Sequence, residues 1–209
     1  MVQLFIDGGS FMWPILFIFI IGFVFVGERL YHLLKGLSAK EDFAEMICET
    51  VKTSGFEEAK TKCEGTIGPV VNLCYNSLER AHLGAEEAEK SLEQSGAIEM
   101  AALEKNMTWI SLCIATAPML GFLGTVWGMI QAFNDIKMAN DISPAVVAGG
   151  ISVALLTTAF GLVVAVILQL LQNAVMYIID NQIVTMQKSS TMLIHSIADK
   201  ARNQHDNQA

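Results

Sequence analysis

Two long stretches without a single charged side chain constrain this chain more than any other feature. They are residues 106–134 and 142–179, and each is long enough to cross a bilayer as one helix. The sequence as a whole is 53% hydrophobic with a mean hydropathy of +0.46, which is too apolar for an ordinary soluble domain. Because the apolar residues are concentrated in runs, the sequence predicts an all-α, polytopic membrane protein.

A third apolar run lies near the start of the chain. No charged residue occurs between Gly8 and Gly27, and Trp13 and Tyr31 flank the run in the manner of interfacial aromatic residues. No basic segment and small-residue cleavage site accompany the run, so we expect it to be retained as a first span. Since this run contains no polar side chain that could take part in the function, we interpret it as an anchor that orients the chain.

The distribution of basic residues predicts the orientation. Lysine and arginine are absent before the first span, whereas Arg29, Lys35 and Lys40 follow it closely. Because positive charge favours the cytoplasmic side, we expect the N-terminus outside the cytoplasm. The predicted segments are an outer N-terminus (1–10), a first span (11–34), a cytoplasmic helical domain (35–105), a second span (106–134), an outer loop (135–144), a third span (145–170) and a cytoplasmic helical extension with a tail (171–209).

The predicted cytoplasmic domain shows helical periodicity. Phe43, Ile47 and Val51 step by four residues, which predicts amphipathic helices with solvated charged faces. Helix breaks are expected near Ser54–Gly55, at Gly65–Pro69 and at Gly84, giving three or four helices. Ser91 with Gln94 has the spacing of a capping box and indicates a helix start at that point.

Several classes of function are disfavoured by composition and spacing. The net charge of −8 argues against binding of nucleic acid, which needs a basic face. The four histidines and four cysteines are scattered without metal-ligand spacing, so no metal or other cofactor is predicted and the thiols are expected to be reduced. Phosphate-binding loops and nucleophile elbows are also missing, so we do not predict an enzyme.

The second and third spans each present a face of small residues. On the second span this face holds Gly121, Gly124, Thr125 and Gly128, and on the third it holds Gly150, Ala154, Thr157, Thr158 and Gly161. Such faces are typical of tightly packed membrane helices. They could instead line a narrow passage, in which Thr125 and Thr158 are the main polar side chains near the middle of the membrane.

Titratable groups are nearly absent from these two spans. Cys113 is the only ionisable side chain within residues 106–134 and 145–170. A proton relay through a membrane normally needs an acid or a histidine. If ions cross here, we therefore expect the charged group to come from another chain.

Two segments carry a resemblance to a known family. Residues 117–130 read Ala-Pro-Met-Leu-Gly-Phe-Leu-Gly-Thr-Val-Trp-Gly-Met-Ile, and residues 150–162 read Gly-Ile-Ser-Val-Ala-Leu-Leu-Thr-Thr-Ala-Phe-Gly-Leu. Both resemble the MotA/TolQ/ExbB proton channel family, and the three predicted spans favour its ExbB/TolQ branch over the four-span flagellar stators.

The resemblance implies a function and a set of partners. Members of this branch form a homo-oligomeric ring, typically a pentamer, in the lipid of the bacterial inner membrane, with the N-terminus in the periplasm and the C-terminus in the cytoplasm. The ring encloses single-span helices of an ExbD/TolR-like protein, each with one membrane aspartate. Ion flow through this assembly drives a TonB/TolA-like effector. The alternative is a structural membrane scaffold that clamps a partner through its glycine faces.

The resemblance also assigns roles to individual residues. Thr125 and Thr158 correspond to the polar residues that line the ion pathway, and Pro118 to the proline that bends the second span. Val153 occupies the position at which the branch usually has a glutamate. Thr157 beside Thr158 resembles sodium-driven relatives, in which an extra hydroxyl helps to replace the water around a cation. The driving ion is therefore a proton or sodium.

Overall fold

Helices account for all regular structure in the part of the chain that the structure describes. The computed structural model describes residues 2–36, 42–139 and 144–206, and these residues include no strand. The α-helices are α1 (Val2–Asp7), α2 (Met12–Gly36), α3 (Asp42–Thr53), α4 (Phe56–Cys63), α5 (Pro69–Arg80), α6 (Ala85–Leu103), α7 (Met107–Ala139) and α8 (Pro144–Asp206), with a 3₁₀ turn at Ala81–Leu83. The predicted all-α fold is confirmed.

Three helical stretches are long and apolar enough to cross a membrane. They lie within Met12–Leu34, Ala85–Met138 and Val147–Lys200, so the predicted number of spans is confirmed. Helix α7 continues to Ala139, which is beyond the predicted end of the second span at residue 134. Lys40 and residues 140–143 of the predicted outer loop lie outside the described residues, and the orientation of the chain stays a prediction.

The first of two compact units contains the α7 segment together with parts of α2 and α8. It consists of Met1–Arg29 and Asn106–Val175. Its core includes Ile15 of α2, Cys113 of α7 and Leu168 of α8, all of them buried. A Cβ at Gly22 would lie only 2.7 Å from the Leu168 side chain, so glycine at this position allows α2 to approach α8.

The second unit combines residues that are far apart in the sequence. It consists of Leu30–Lys105 and Met176–Ala209, and its buried core includes Val51 of α3 and Leu193 of α8. Lys200 of α8 donates hydrogen bonds to the carbonyl oxygens of Val51 at 2.7 Å and Lys52 at 3.2 Å. These bonds satisfy carbonyl groups at the C-terminal end of α3, where the helix itself supplies no donors.

The helix boundaries in this unit follow its glycines. Gly55 has a φ of 104° and Gly84 a φ of 119°, and both end a helical segment as predicted. The helix start predicted from Ser91 is wrong, because α6 begins directly after Gly84. Ser91 lies inside α6, where it is buried and its hydroxyl donates to the Asn76 carbonyl oxygen at 2.9 Å.

Candidate functional site

The small-residue faces of α7 and α8 lie directly against each other. We call this contact the α7–α8 seam, and it extends over about four helical turns. Its members are Ala117, Gly121, Gly124, Gly128 and Ala132 of α7, with Gly150, Ala154, Thr157 and Gly161 of α8. The structure thus brings all six predicted helix-packing residues into one contact within a single chain.

Backbone atoms touch at several points of the seam. A Cβ at Gly161 would lie 2.7 Å from the Ala117 carbonyl oxygen, and a Cβ at Gly121 would lie 3.0 Å from the Thr157 carbonyl oxygen. A Cβ at Gly128 would lie 3.2 Å from the Ala154 Cβ. A side chain at any of these glycines would push the two helices apart, as is usual where glycine permits close helix packing.

Thr125 and Thr158 lie at the flanks of the seam and are half-buried. The Thr158 hydroxyl donates across the seam to the Gly121 carbonyl oxygen at 3.1 Å, and the Thr125 hydroxyl donates to the Phe122 carbonyl oxygen at 2.6 Å. A hydroxyl oxygen that has donated its proton keeps two lone pairs. Both residues can therefore offer an oxygen to a cation without first breaking their own hydrogen bonds.

Thr157 has a different environment from its neighbour Thr158. Its side chain is only 1% exposed, and its hydroxyl donates to the Ala154 carbonyl oxygen of the same helix at 2.8 Å. The sequence placed the two threonines together on the predicted ion pathway. The structure places Thr157 inside the seam and Thr158 at its flank.

Pro118 lies inside α7 next to Ala117, the residue that Gly161 contacts. Because proline has no N–H group, the Ile114 carbonyl oxygen does not receive the usual helical hydrogen bond from residue 118. The hydrogen-bond ladder of α7 is therefore interrupted at the start of the seam. The bend predicted at Pro118 stays a prediction.

Val153 lies near the turn between α1 and α2. A Cβ at Gly9, whose φ is 72°, would lie 3.4 Å from Cγ1 of Val153. The residue that stands where the resemblance predicts a glutamate is therefore apolar and lies close to the N-terminal segment.

Sequence reasoning missed two parts of this region. Ala117 and Ala132 extend the spacing of the glycine face by one turn at each end, and that spacing was available as a signal. The second part is a polar cluster in which Arg29, only 5% exposed, pairs with Glu28 at 3.2 Å. Asn106 donates to the other Glu28 carboxylate oxygen at 2.8 Å, a contact across 78 positions that no local pattern reveals.

The remaining titratable groups of the described residues form no cluster of potential metal ligands. In residues 2–36, 42–139 and 144–206, no three His, Cys, Asp or Glu side chains come together as metal ligands. In the second unit, burial raises the pKa of Cys63 to about 11, and burial likewise raises the pKa of Cys48 and of Cys74. These thiols are therefore protonated and weakly nucleophilic near neutral pH.

Comparison with known proteins gives consistent matches. The MotA/TolQ/ExbB proton channel family matches residues 66–188. A putative biopolymer transport protein ExbB homolog of Methanothermobacter thermautotrophicus is 30% identical over 183 residues, covering 87% of this chain and 65% of that protein. The biopolymer transport protein ExbB of Pseudomonas putida is 34% identical over 141 residues, covering 62% of this chain and 42% of that protein.

A shorter and more similar match is found in Neisseria gonorrhoeae. Its biopolymer transport protein ExbB is 43% identical over 67 residues, covering 32% of this chain and 30% of that protein. In all three comparisons the chain spans less than two thirds of the relative's own length.

Proposed function

Because this chain belongs to the MotA/TolQ/ExbB proton channel family, we propose that it is an ion-conducting ring subunit of an ExbB/TolQ-like motor in the bacterial inner membrane. The ring is a homo-oligomer, a pentamer by resemblance, with its N-termini in the periplasm and its C-termini in the cytoplasm. It encloses an ExbD/TolR-like single-span partner that carries a membrane aspartate. The proton or sodium gradient drives this assembly, and a TonB/TolA-like effector carries the work to transport or to the cell envelope.

The observation that carries this proposal is the pairing of two hydroxyls on half-buried residues with an almost complete lack of titratable groups. Thr125 and Thr158 offer oxygen atoms at the flanks of the α7–α8 seam, whereas Cys113 is the only ionisable side chain in residues 106–134 and 145–170. Such a surface can offer oxygen atoms to a cation but has no acidic group to neutralise its charge. An acid supplied by a second chain completes the pathway.

The two hydroxyls bond to neighbouring carbonyl groups of α7. The Thr158 hydroxyl donates to the Gly121 carbonyl oxygen and the Thr125 hydroxyl to the Phe122 carbonyl oxygen. Because consecutive residues of an α-helix differ by only about 1.5 Å along its axis, the two acceptor groups lie at similar depth. A cation or a protonated carboxyl group at this depth of α7 could meet both oxygens.

The packing of the seam weighs against the scaffold alternative. Gly121, Gly124 and Gly128 already face α8 of the same chain at contact distance. A partner helix cannot use these glycines without displacing α8. This supports a role for the hydroxyls beside the seam over a role for the glycine face as a clamp.

The test removes each hydroxyl while keeping the shape of the side chain. We expect Thr125→Val and Thr158→Val to abolish partner-driven work while the ring stays assembled, because valine replaces the hydroxyl with a methyl group of similar size. Thr125→Ser and Thr158→Ser are the matched controls, which keep the hydroxyl and should retain more activity than the valine variants. Activity is measured as the transport or envelope process that the effector drives. Assembly of the ring is measured by size-exclusion chromatography.

The two functions predict opposite results. If both valine variants work normally and only Gly124→Leu breaks assembly, the protein is a scaffold and the ion-pathway assignment fails. The driving ion follows from measuring activity with the proton gradient and the sodium gradient collapsed separately.

A further inference from the structure

Thr157 is the only member of the α7–α8 seam with a branched side chain. It fills the space that Gly124 leaves open on α7. A Cβ at Gly124 would lie 2.6 Å from Oγ1, 2.7 Å from Cβ and 3.1 Å from Cγ2 of Thr157. The whole threonine side chain is thus enclosed, consistent with its exposure of only 1%.

The other glycines of the seam meet only backbone atoms or the Cβ of alanine on the opposite helix. Gly161 contacts the Ala117 backbone, Gly128 contacts Ala154, and Gly150 contacts Ala132. Contacts without a protruding side chain set the distance between two helices but permit one helix to turn about its axis. A branched side chain in a fitted notch does restrict rotation, because β-branched residues have few allowed χ1 rotamers in a helix.

The rotation of α8 decides where the Thr158 hydroxyl points. Successive residues of an α-helix are separated by about 100° around the axis. With Thr157 in the Gly124 notch, Thr158 lies at the flank, where its hydroxyl reaches the Gly121 carbonyl oxygen at 3.1 Å. A turn of α8 that withdrew Thr157 from the notch would also break this hydrogen bond.

We propose that Thr157 is a positioning residue: it occupies the Gly124 notch, holds α8 in the rotation that places the Thr158 hydroxyl beside the ion pathway, and does not itself contact the passing ion. This inference rests on the proposed function. It also means that the adjacent threonine pair does not by itself indicate a sodium-driven motor, since only one of the two hydroxyls faces the pathway.

Two substitutions at each threonine separate shape from hydroxyl chemistry. Valine keeps the branched shape and loses the hydroxyl, whereas serine keeps the hydroxyl and loses the methyl group. A residue that fills a notch needs the branched shape, so Thr157→Val should conduct more ions than Thr157→Ser. A residue that binds an ion needs the hydroxyl, so Thr158→Ser should conduct more ions than Thr158→Val.

The experiment measures ion flux into liposomes that hold the full-length chain with a co-purified single-span partner bearing a membrane aspartate. Proton and sodium gradients are imposed in separate runs. At position 157 we expect valine to give roughly fivefold more flux than serine, because serine leaves a cavity in a close-packed contact. At position 158 the order should reverse, and the ratio of sodium to proton flux in Thr157→Val should equal that of the wild type.

A residue exchange across the seam provides the second test. Gly124→Ala alone should abolish flux, because its new Cβ meets the Thr157 Cβ at 2.7 Å. Adding Thr157→Gly moves the protruding side chain from α8 to α7 and should restore a measurable part of the flux. Failure of this rescue would overturn the positioning role, even if both single substitutions at position 157 are inactive.

The outcomes distinguish the inference from the function on which it rests. If the ion flux of Thr157→Ser exceeds that of Thr157→Val, Thr157 is an ion contact; if the two fluxes are equal, it is a neutral position. Either result overturns the positioning role, while the Thr158 variants still test the pathway. Normal flux in Thr158→Val together with Thr125→Val would instead remove the proposed pathway itself.

Discussion

Asn106 connects a local backbone requirement to a long-range contact. Its φ is 64°, and among the described residues it is the only one other than glycine with a positive φ. Asparagine tolerates this left-handed conformation better than most residues do. The same residue donates from Nδ2 to Glu28, which also pairs with the buried Arg29. The start of α7 is thereby attached to the polar cluster on α2.

Two substitutions at Asn106 separate these contributions. Asn106→Gly removes the hydrogen bond but accepts the left-handed backbone, whereas Asn106→Ala removes the hydrogen bond and strains the backbone as well. We expect the alanine variant to be about 1 kcal/mol less stable than the glycine variant, with both below the wild type. Reversible unfolding in mixed micelles measures the difference, and equal stability of the two variants would show that the backbone conformation contributes nothing.

For the pair α7 and α8, the sequence predicts the two small-residue faces but not which threonine lies between them. The recurrence of small residues every three or four positions defines the face of α7, because helical geometry alone fixes which residues lie together. It cannot decide between Thr157 and Thr158, since both lie three or four residues from Ala154 and from Gly161. Only the packed pair of helices shows that Thr157 enters the Gly124 notch and that Thr158 remains at the flank.

Two adjacent glycines of α8 test the seam itself. Gly150 faces Ala132 in direct contact, whereas a Cβ at Gly149 would have no neighbour within 4 Å. We expect Gly150→Leu to lower the stability by about 1–3 kcal/mol through overpacking, and Gly149→Leu to have a much smaller effect. Thermal unfolding of the purified chain in detergent compares them, and similar losses at both positions would contradict the seam geometry.

Different parts of the fold were predictable from the sequence to different degrees. Three apolar stretches predict three helical spans because lipid forces each backbone to satisfy its hydrogen bonds internally. The second unit was less predictable, since its core joins Val51 of α3 with Leu193 of α8. Periodicity reveals which face of each helix is apolar, but contacts between residues so far apart depend on tertiary packing.

The buried thiols of the second unit report on this tertiary packing. Cys48, Cys63 and Cys74 belong to the same core as Leu193, which is 0% exposed. Burial raises the pKa of each thiol, so the thiolate that reacts with iodoacetamide is scarce near neutral pH. We expect little alkylation of these cysteines in the folded wild-type chain.

Leu193→Asp should expose all three thiols, because it places an unpaired charge in their core. We expect alkylation at least about tenfold faster than in the wild type, since local opening governs access to buried groups. Thr191→Asp introduces the same charge at an exposed position of α8 and should leave the thiols protected. Peptide mass spectrometry resolves each cysteine separately. Equal protection in Leu193→Asp and the wild type would mean that α3, α4 and α5 form their core without α8.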